Sequence, residues 1–322
     1  MVPGAEMLST SGGSSVAAPP SGLRFRVNSP NVQYTSDRIV SRFMYEDTSC
    51  EVTPSGEVVV TPSTTQYTFT TSTAVPRMGL MLVGLGGNNG TTVAASILAN
   101  REKMAWRTKA GLQQPNYFGS LTQASTVRLG KDPKGDNISI PFKDILPMVN
   151  PNDIVVGGWD ISDANLAVAM ERAQVLEPDL QRQVAPKLSA IVPLPSIYYP
   201  DFIAANQSER ANNVMRGSKQ DNLEQVRKDI RDFRAANQLD SVVVLWTANT
   251  ERYADIVEGV NDSADNLLAA IKAGHSEVSP STVFAVACIL EGVPFINGSP
   301  QNTFVPGCVE LAERHRVRLM CL

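Results

Sequence analysis

With 322 residues and an ordinary apolar share of 43%, the chain has material for one large domain or two smaller ones. Its net charge of −4 argues against non-specific nucleic-acid binding, and no apolar stretch is long enough to cross a bilayer. The N-terminus lacks the basic-then-apolar order of a secretory signal, and Cys50, Cys288, Cys308 and Cys321 show neither metal nor framework spacing, so a reduced, cytoplasmic setting is expected.

Residues 1–22 are rich in Ser, Gly, Ala and Pro and are expected to be a disordered tail. Residues 23–75 form an N-terminal extended segment, expected to pack on the main body. Within it, Glu51 to Thr73 alternates β-branched and polar residues (Val58, Val60, Tyr67, Phe69), which predicts antiparallel strands. From 76 to 322 the pattern becomes strand, polar turn, helix, repeated.

The first such unit organises the rest. Gly79 to Val83 is an apolar run of buried-strand length, and Thr91 to Met104 has helical spacing in Val93, Ile97 and Leu98. Between them, glycines fall at 84, 86, 87 and 90. A glycine-rich strand-to-helix turn brings backbone close to a pyrophosphate and points free N–H groups at it. The last glycine comes one residue later than in G-x-G-x-x-G, so the turn alone allows either a nucleotide site or simply a tight turn. The acidic residue usual about 20 positions on is not evident, because Arg107 to Asn116 is basic and amide-rich.

Trp106 to Gly130 reads as a long polar segment without structure of its own. Asp153 to Asp160 is a second buried strand; Asp160 either bonds a ribose hydroxyl or caps the helix that Ser162 and Asp163 start. Leu188 to Leu194 is a third apolar run, broken by Pro193, Pro195 and Pro200. Asp201 to Val214 is dense in amides, suited to the surface or to a polar ligand. Helices are expected over Asn222–Asn237, Asp262–Ala273, Ser279–Glu291 and Cys308–His315. Strands are expected at Ser241–Trp246, Pro294–Asn297 and Val317–Leu322. His275 and His315 lie at polar helix ends without a nucleophile to serve.

This order predicts an α/β fold: a Rossmann-like, doubly wound, mostly parallel sheet with helices on both faces. The turns at Gly84–Gly90, Trp159–Asp160, Thr247–Thr250 and Gly298–Ser299 then gather along the edge that binds dinucleotides.

Several long motifs resemble the eukaryotic inositol-3-phosphate synthases (myo-inositol-1-phosphate synthases). They are Gly84-Leu85-Gly86-Gly87-Asn88-Asn89-Gly90, Tyr117 to Ser125, Gly157-Gly158-Trp159-Asp160-Ile161, Pro193 to Gln207, Leu245 to Tyr253 and Asn297 to Gly307. The resemblance runs from about Phe25 to the end. It implies an isomerase that uses tightly held NAD to convert D-glucose 6-phosphate to 1D-myo-inositol 3-phosphate in inositol and phospholipid biosynthesis. In that reaction NAD takes a hydride from C5, an enolate forms at C6 and closes on the C1 aldehyde, and the hydride returns. Carried onto these positions, Gly87, Asn88, Asn89 and Gly90 hold the pyrophosphate, and Asp160 bonds the adenosine ribose side. Ile197, Gln207 and Arg210 line the pocket, which Thr247, Ala248, Asn249, Thr250, Gly298 and Ser299 complete. For Arg210 a surface ion pair is the alternative. No metal ligand set is implied.

Two departures stand out. Leu85 occupies a position where many relatives carry tryptophan. Family members also continue past this point with a phosphate-gripping loop, the lysines that stabilise the enolate, and the α+β sheet through which subunits form homotetramers. The expectation is therefore an NAD-binding half without the catalytic half, inactive by itself, whether as a fragment of a longer protein or as a truncated product. A non-catalytic NAD-binding module and an ordinary NAD dehydrogenase are the competing readings. With part of its cover missing, the sheet is expected to expose apolar surface.

Overall fold

The computed structural model describes residues 25–321; the expected tail over 1–22 lies outside them. In chain order, β1 (Val32–Tyr34), β2 (Arg38–Val52) and β3 (Val58–Ser72) come first, then β4 (Met78–Val83) and α1 (Asn88–Arg101). Next are β5 (Trp106–Thr108), β6 (Gly111–Gln113), the one-turn α2 (Leu121–Ala124), β7 (Thr126–Lys131) and β8 (Asn137–Pro141). The remainder is β9 (Val155–Asp160), α3 (Leu166–Ala173), α4 (Pro178–Leu188), β10 (Leu194–Pro195), α5 (Lys219–Ala236), β11 (Ser241–Trp246), α6 (Ala264–Ala273), α7 (Pro280–Leu290), β12 (Phe295–Asn297), α8 (Pro306–His315) and β13 (Leu319–Cys321).

The chain divides into two compact units. Among the described residues, one comprises residues 25–74 together with Phe118–Met148, the other Val75–Tyr117 together with residues 149–321. In the first, β2 and β3 pair antiparallel over fifteen residues each, with β1 beside β2, and β7 and β8 make a separate hairpin. On one face of the β2–β3 ribbon Phe43 stands directly opposite Tyr67, with Tyr45 and Phe69 diagonal to that pair, all exposed.

The second unit holds a six-stranded parallel sheet in the order β10-β9-β4-β11-β12-β13. That is the dinucleotide-binding arrangement, with chain order reversing direction between β4 and β11. One face is covered by α1, α3 and α4 through Leu82, Ala95, Leu98, Leu166, Met170 and Val184. The other is covered by α5 to α8 through Val242, Val244, Ile230, Leu267, Phe284 and Leu311. Its centre is aromatic: the Phe284 ring meets Trp159 edge-on at 5.1 Å and Trp246 at 6.1 Å. The Trp159 indole N–H donates to Asp229 Oδ2 at 2.8 Å, which satisfies a donor that burial would otherwise strand. Both faces of the sheet thus carry helices, whereas Met320 on edge strand β13 is exposed.

Local chemistry explains the boundaries. Ser218 and Asp221 form a reciprocal capping box at α5, and Ser279 followed by Pro280 starts α7. Helix α1 begins three residues before the expected Thr91, because Gly87 is already extended and serves as its N-cap. Helix α3 starts at Leu166, not at Ser162, because the Asn165 side chain accepts the N–H groups of Ala167 and Val168.

Two expectations need correction. The segment Trp106–Gly130 is not structureless: it holds the β5–β6 hairpin, α2 and most of β7, in strands too short for periodicity to reveal. The run Leu188–Leu194 is not a strand. Leu188 closes the buried stripe of α4, and only Leu194–Pro195 pairs with β9, since prolines lack the N–H a ladder needs.

Candidate functional site

A cavity of about 490 Å³ opens at the carboxyl ends of β4 and β11, where the strand order reverses. Its floor is the turn after β4. Gly84 takes φ +91°, and a Cβ there would stand 2.7 Å from the Ala248 backbone nitrogen, so the β4 and β11 loops touch only because Gly84 has no side chain. The turn hangs on β9: the N–H groups of Gly84 and Leu85 both donate to the Trp159 carbonyl, at 2.8 and 3.0 Å. Gly90 is the third residue of α1 and packs on the glycine turn, where a Cβ would come within 2.3 Å of the Leu85 oxygen.

The start of α1 has no side-chain cap and no acidic residue in its first turn. Its first N–H groups and positive dipole end are therefore left for an anion. Two guanidinium groups stand nearby. Arg172 donates to the Gly86 carbonyl at 2.7 Å, and Arg210 donates to Asp160 Oδ1 at 3.2 Å. Burial, followed by the repelling charge of Arg210, lowers the pKa of Arg172 from its ordinary value. Arg210 Nε is buried with no protein partner, an unused donor beside the cavity.

Asp160 is buried at the tip of β9. Its Oδ2 accepts the Gly86 N–H at 2.9 Å and its Oδ1 accepts the Ser162 N–H at 3.0 Å. It does not cap the following helix, a task that falls to Asn165. It does hold the glycine turn, which sequence spacing did not suggest. The acid sought about 20 residues after the glycines is absent from Arg107–Asn116, yet Asp160 ends the strand next to β4, where such an acid belongs. The residues between lengthen the spacing without changing the position.

Of the residues named from the sequence, Gly87, Asn88, Asn89, Asp160, Ile197, Gln207, Arg210, Thr247, Ala248 and Asn249 line this one cavity. Gly90, Thr250, Gly298 and Ser299 do not. Gly90 is buried beneath the turn, Thr250 and Gly298 are exposed beside the loop, and Ser299 is buried, donating through its hydroxyl to the Ala248 carbonyl at 3.2 Å. Arg172, Ser196 and Ile203 also line the cavity and were not foreseen. The only sequence trace of Arg172 is a cation in the last turn of the helix after Asp160. Among the described residues, no group of three or more His, Cys, Asp or Glu is placed to hold a metal ion.

A family model for an NAD-binding domain, described as myo-inositol-1-phosphate synthase, matches residues 78–321. The chain belongs to the myo-inositol-1-phosphate synthase family. It is 58% identical over 295 residues to the inositol-3-phosphate synthase of Dictyostelium discoideum, covering 92% of this chain and 58% of that protein. It is 57% identical over 290 residues to inositol-3-phosphate synthase 1 of Oryza sativa subsp. japonica, covering 89% of this chain and 57% of the other. The crystal structure of the Caenorhabditis elegans inositol-3-phosphate synthase superposes with a TM-score of 0.89 at 54% identity, over 92% of this chain and 58% of that one. The chain thus spans somewhat under three fifths of the curated relatives' length, and it carries the family's NAD-binding domain.

Proposed function

We propose that this chain binds NAD in the cavity at the β4–β11 switch point, as the cofactor domain of an inositol-3-phosphate synthase. The observation that carries the reading is the uncapped start of α1, free of acidic residues and flanked by two guanidinium groups, at the mouth of that cavity. Such a donor set fits a pyrophosphate, and the cavity volume is in the range usual for small-molecule sites. Asn88 and Asn89 present backbone N–H groups to the phosphates; Gly87, whose own N–H donates to the Gly84 carbonyl at 2.9 Å, serves as the extended N-cap that aims them, and Gly90 lets the turn close. Arg210, through its unused Nε, and Arg172 offset the phosphate charge. Asp160 holds Gly86 in place and keeps a lone pair on Oδ2 for a ribose hydroxyl. Ile197 and Ala248 supply apolar walls, while Thr247, Asn249 and Gln207 add polar contacts. Thr250, Gly298 and Ser299 act from behind this shell, by shaping the loop that bears Ala248.

NAD, when bound, supplies reversible hydride transfer. In the complete protein, we infer, that hydride is borrowed and returned while D-glucose 6-phosphate becomes 1D-myo-inositol 3-phosphate. By the same resemblance, the lysines that manage the enolate belong to sequence outside this stretch. The reading includes a homotetramer and a cytoplasmic setting, the latter supported by free thiols at Cys50, Cys288, Cys308 and Cys321. No helix among the described residues is long and apolar enough to cross a membrane.

Calorimetric titration of the folded chain with NAD tests the first claim: saturable uptake at one site is expected, and its absence overturns the reading. Incubation of the complete protein with glucose 6-phosphate and NAD tests the second. Inositol phosphate should accumulate without net NADH, and stoichiometric NADH would mark an ordinary dehydrogenase.

A further inference from the structure

Two of the cavity's walls are built from separate parts of the chain. One is the loop after β11, bearing Thr247, Ala248 and Asn249; the other is the segment bearing Ile203, Gln207 and Arg210. The second wall is irregular, ending in a short 3-10 stretch over Ala205–Arg210, and no strand of the sheet runs through it. Its far end is tied to the sheet by the Arg210–Asp160 pair, and its start at Asp201–Ile203 needs an anchor of its own.

The Glu251–Arg252 pair, directly after the first wall, makes the connections. Glu251 anchors inward: its N–H donates to Gln301 Oε1 at 2.8 Å, and its Oε1 accepts the Ser281 N–H at 3.0 Å. Arg252 reaches outward. Its backbone N–H donates to the Phe202 carbonyl at 2.9 Å, and its Nε donates to the Asp201 carbonyl at 3.1 Å. Its guanidinium lies 4.0 Å from the centre of the Phe202 ring. Its two terminal nitrogens grip both carboxylate oxygens of Glu277, at 2.7 and 2.9 Å. Glu277 is itself fixed, since the same Oε1 accepts the Asp255 N–H at 2.7 Å. Phe202, immediately before the second wall, is buried, with the Lys219 ammonium 5.7 Å from its ring. A planar fork that pairs bidentately and stacks at once is a task lysine cannot perform.

We propose that Arg252 is a positioning residue that latches the Ile203–Arg210 wall onto the Thr247–Asn249 wall and so preforms the cleft. The proposal rests on the reading of this cleft as an NAD site. Arg252 need not touch the cofactor; it raises the fraction of molecules whose cleft is already shaped to receive it. Apparent affinity scales with that fraction, so a drop to a tenth weakens binding about tenfold.

The test joins hydrogen–deuterium exchange on the ligand-free chain with NAD calorimetry. Arg252→Ala should speed exchange across residues 201–210, leave α1 and β4 protected, and weaken NAD binding about tenfold. Glu277→Ala should do nearly the same, and Glu277→Gln, which keeps an acceptor for the fork, should recover most of the loss. Unchanged exchange at 201–210, NAD affinity within twofold of wild type, or faster exchange throughout the domain would each overturn the latch. If the wild-type chain takes up no NAD, the cofactor reading fails instead, and the exchange comparison still decides whether Arg252 holds the wall.

Discussion

Two Val-Val-Val triplets in this chain meet opposite fates. Val58-Val59-Val60 opens β3 with all three side chains exposed, whereas in Val242-Val243-Val244 of β11 the outer two are 3% and 0% exposed. Both form strands, because β-branched side chains suit a pleated backbone. What separates them is company. β11 has β4 on one side and β12 on the other, with helices on both faces; β3 pairs with β2 alone. Residue type selects the strand, and neighbours decide burial. A ribbon widened only by the three-residue β1 contributes little stability by itself, so the free energy of this fold should reside in the parallel sheet.

The harshest way to break that comparison is through the backbone. Gly158 in β9 takes φ +145°, and a Cβ there would stand 2.1 Å from the Leu82 oxygen, within the β4–β9 pairing. Gly158→Ala should cost more than about 3 kcal/mol, or leave no folded protein, by urea titration. Gly56, at the ribbon's turn with φ +85°, has nothing within 4 Å of where a Cβ would stand, so Gly56→Ala should cost only about 1 kcal/mol of local strain. Similar losses at the two sites would mean that the ribbon is as much a part of the cooperative unit as the sheet.

Burial of the kind that secures Val244 also shuts in a carboxyl group. Glu251 is 4% exposed, its Oε2 has no partner, and desolvation lifts its pKa from 4.5 to about 7, with bonds to Ser281 and Ser279 and the Lys219 charge opposing. The folded protein therefore keeps this proton over a range in which the unfolded chain has lost it. Stability should fall as pH rises from about 4.5 to about 7, by at most about 3 kcal/mol, and stay reduced above. Lys219, lowered to about 8 mainly by burial, titrates above that window and does not mask it. Glu251→Gln should flatten this part of the profile and stabilise the protein at pH 8. An unaltered pH profile in that variant would show that the carboxyl is already solvated.

The paired valines give a direct measure. Val244→Ala removes buried methyl groups from the core beneath α5 to α8 and should cost about 2 kcal/mol, while Val59→Ala should stay within about 0.5 kcal/mol. Equal costs would imply that β3 is buried in solution.

This contrast also marks how far the sequence could be read. The strand–turn–helix order and the meeting of Asn88, Asp160 and Asn249 were legible, because parallel strands place successive loop tips along one edge. Arg172 was not, since its contact with Gly86 spans 86 positions and depends on how α3 packs on α1. Gly90, Thr250, Gly298 and Ser299 share motifs with the lining residues, yet a motif does not say which of its members face the cavity. The acid expected after the glycine turn is hidden for a different reason: spacing counts residues along the chain, whereas Asp160 reaches the turn because β9 pairs with β4. The exposure of β2 and β3 was equally hidden, because alternation looks the same whether or not a second layer arrives.

The gentlest perturbation sharpens that last point. Tyr45, Tyr67 and Phe69 form a stripe on one ribbon face, with ring centres 6.3 and 6.4 Å apart. Replacing an exposed aromatic removes little buried area, so Phe43→Ser or Phe69→Ser should change unfolding free energy by no more than about 0.5 kcal/mol. The same changes should reduce self-association, because an exposed aromatic stripe beside unpaired strand edges is a template for other chains. Sedimentation velocity of the wild-type chain and the variants at several concentrations separates the two effects. A drop in association with unchanged urea midpoint would place the cost of the ribbon in solubility, whereas a matching loss of stability would show that those rings already pack within the folded chain.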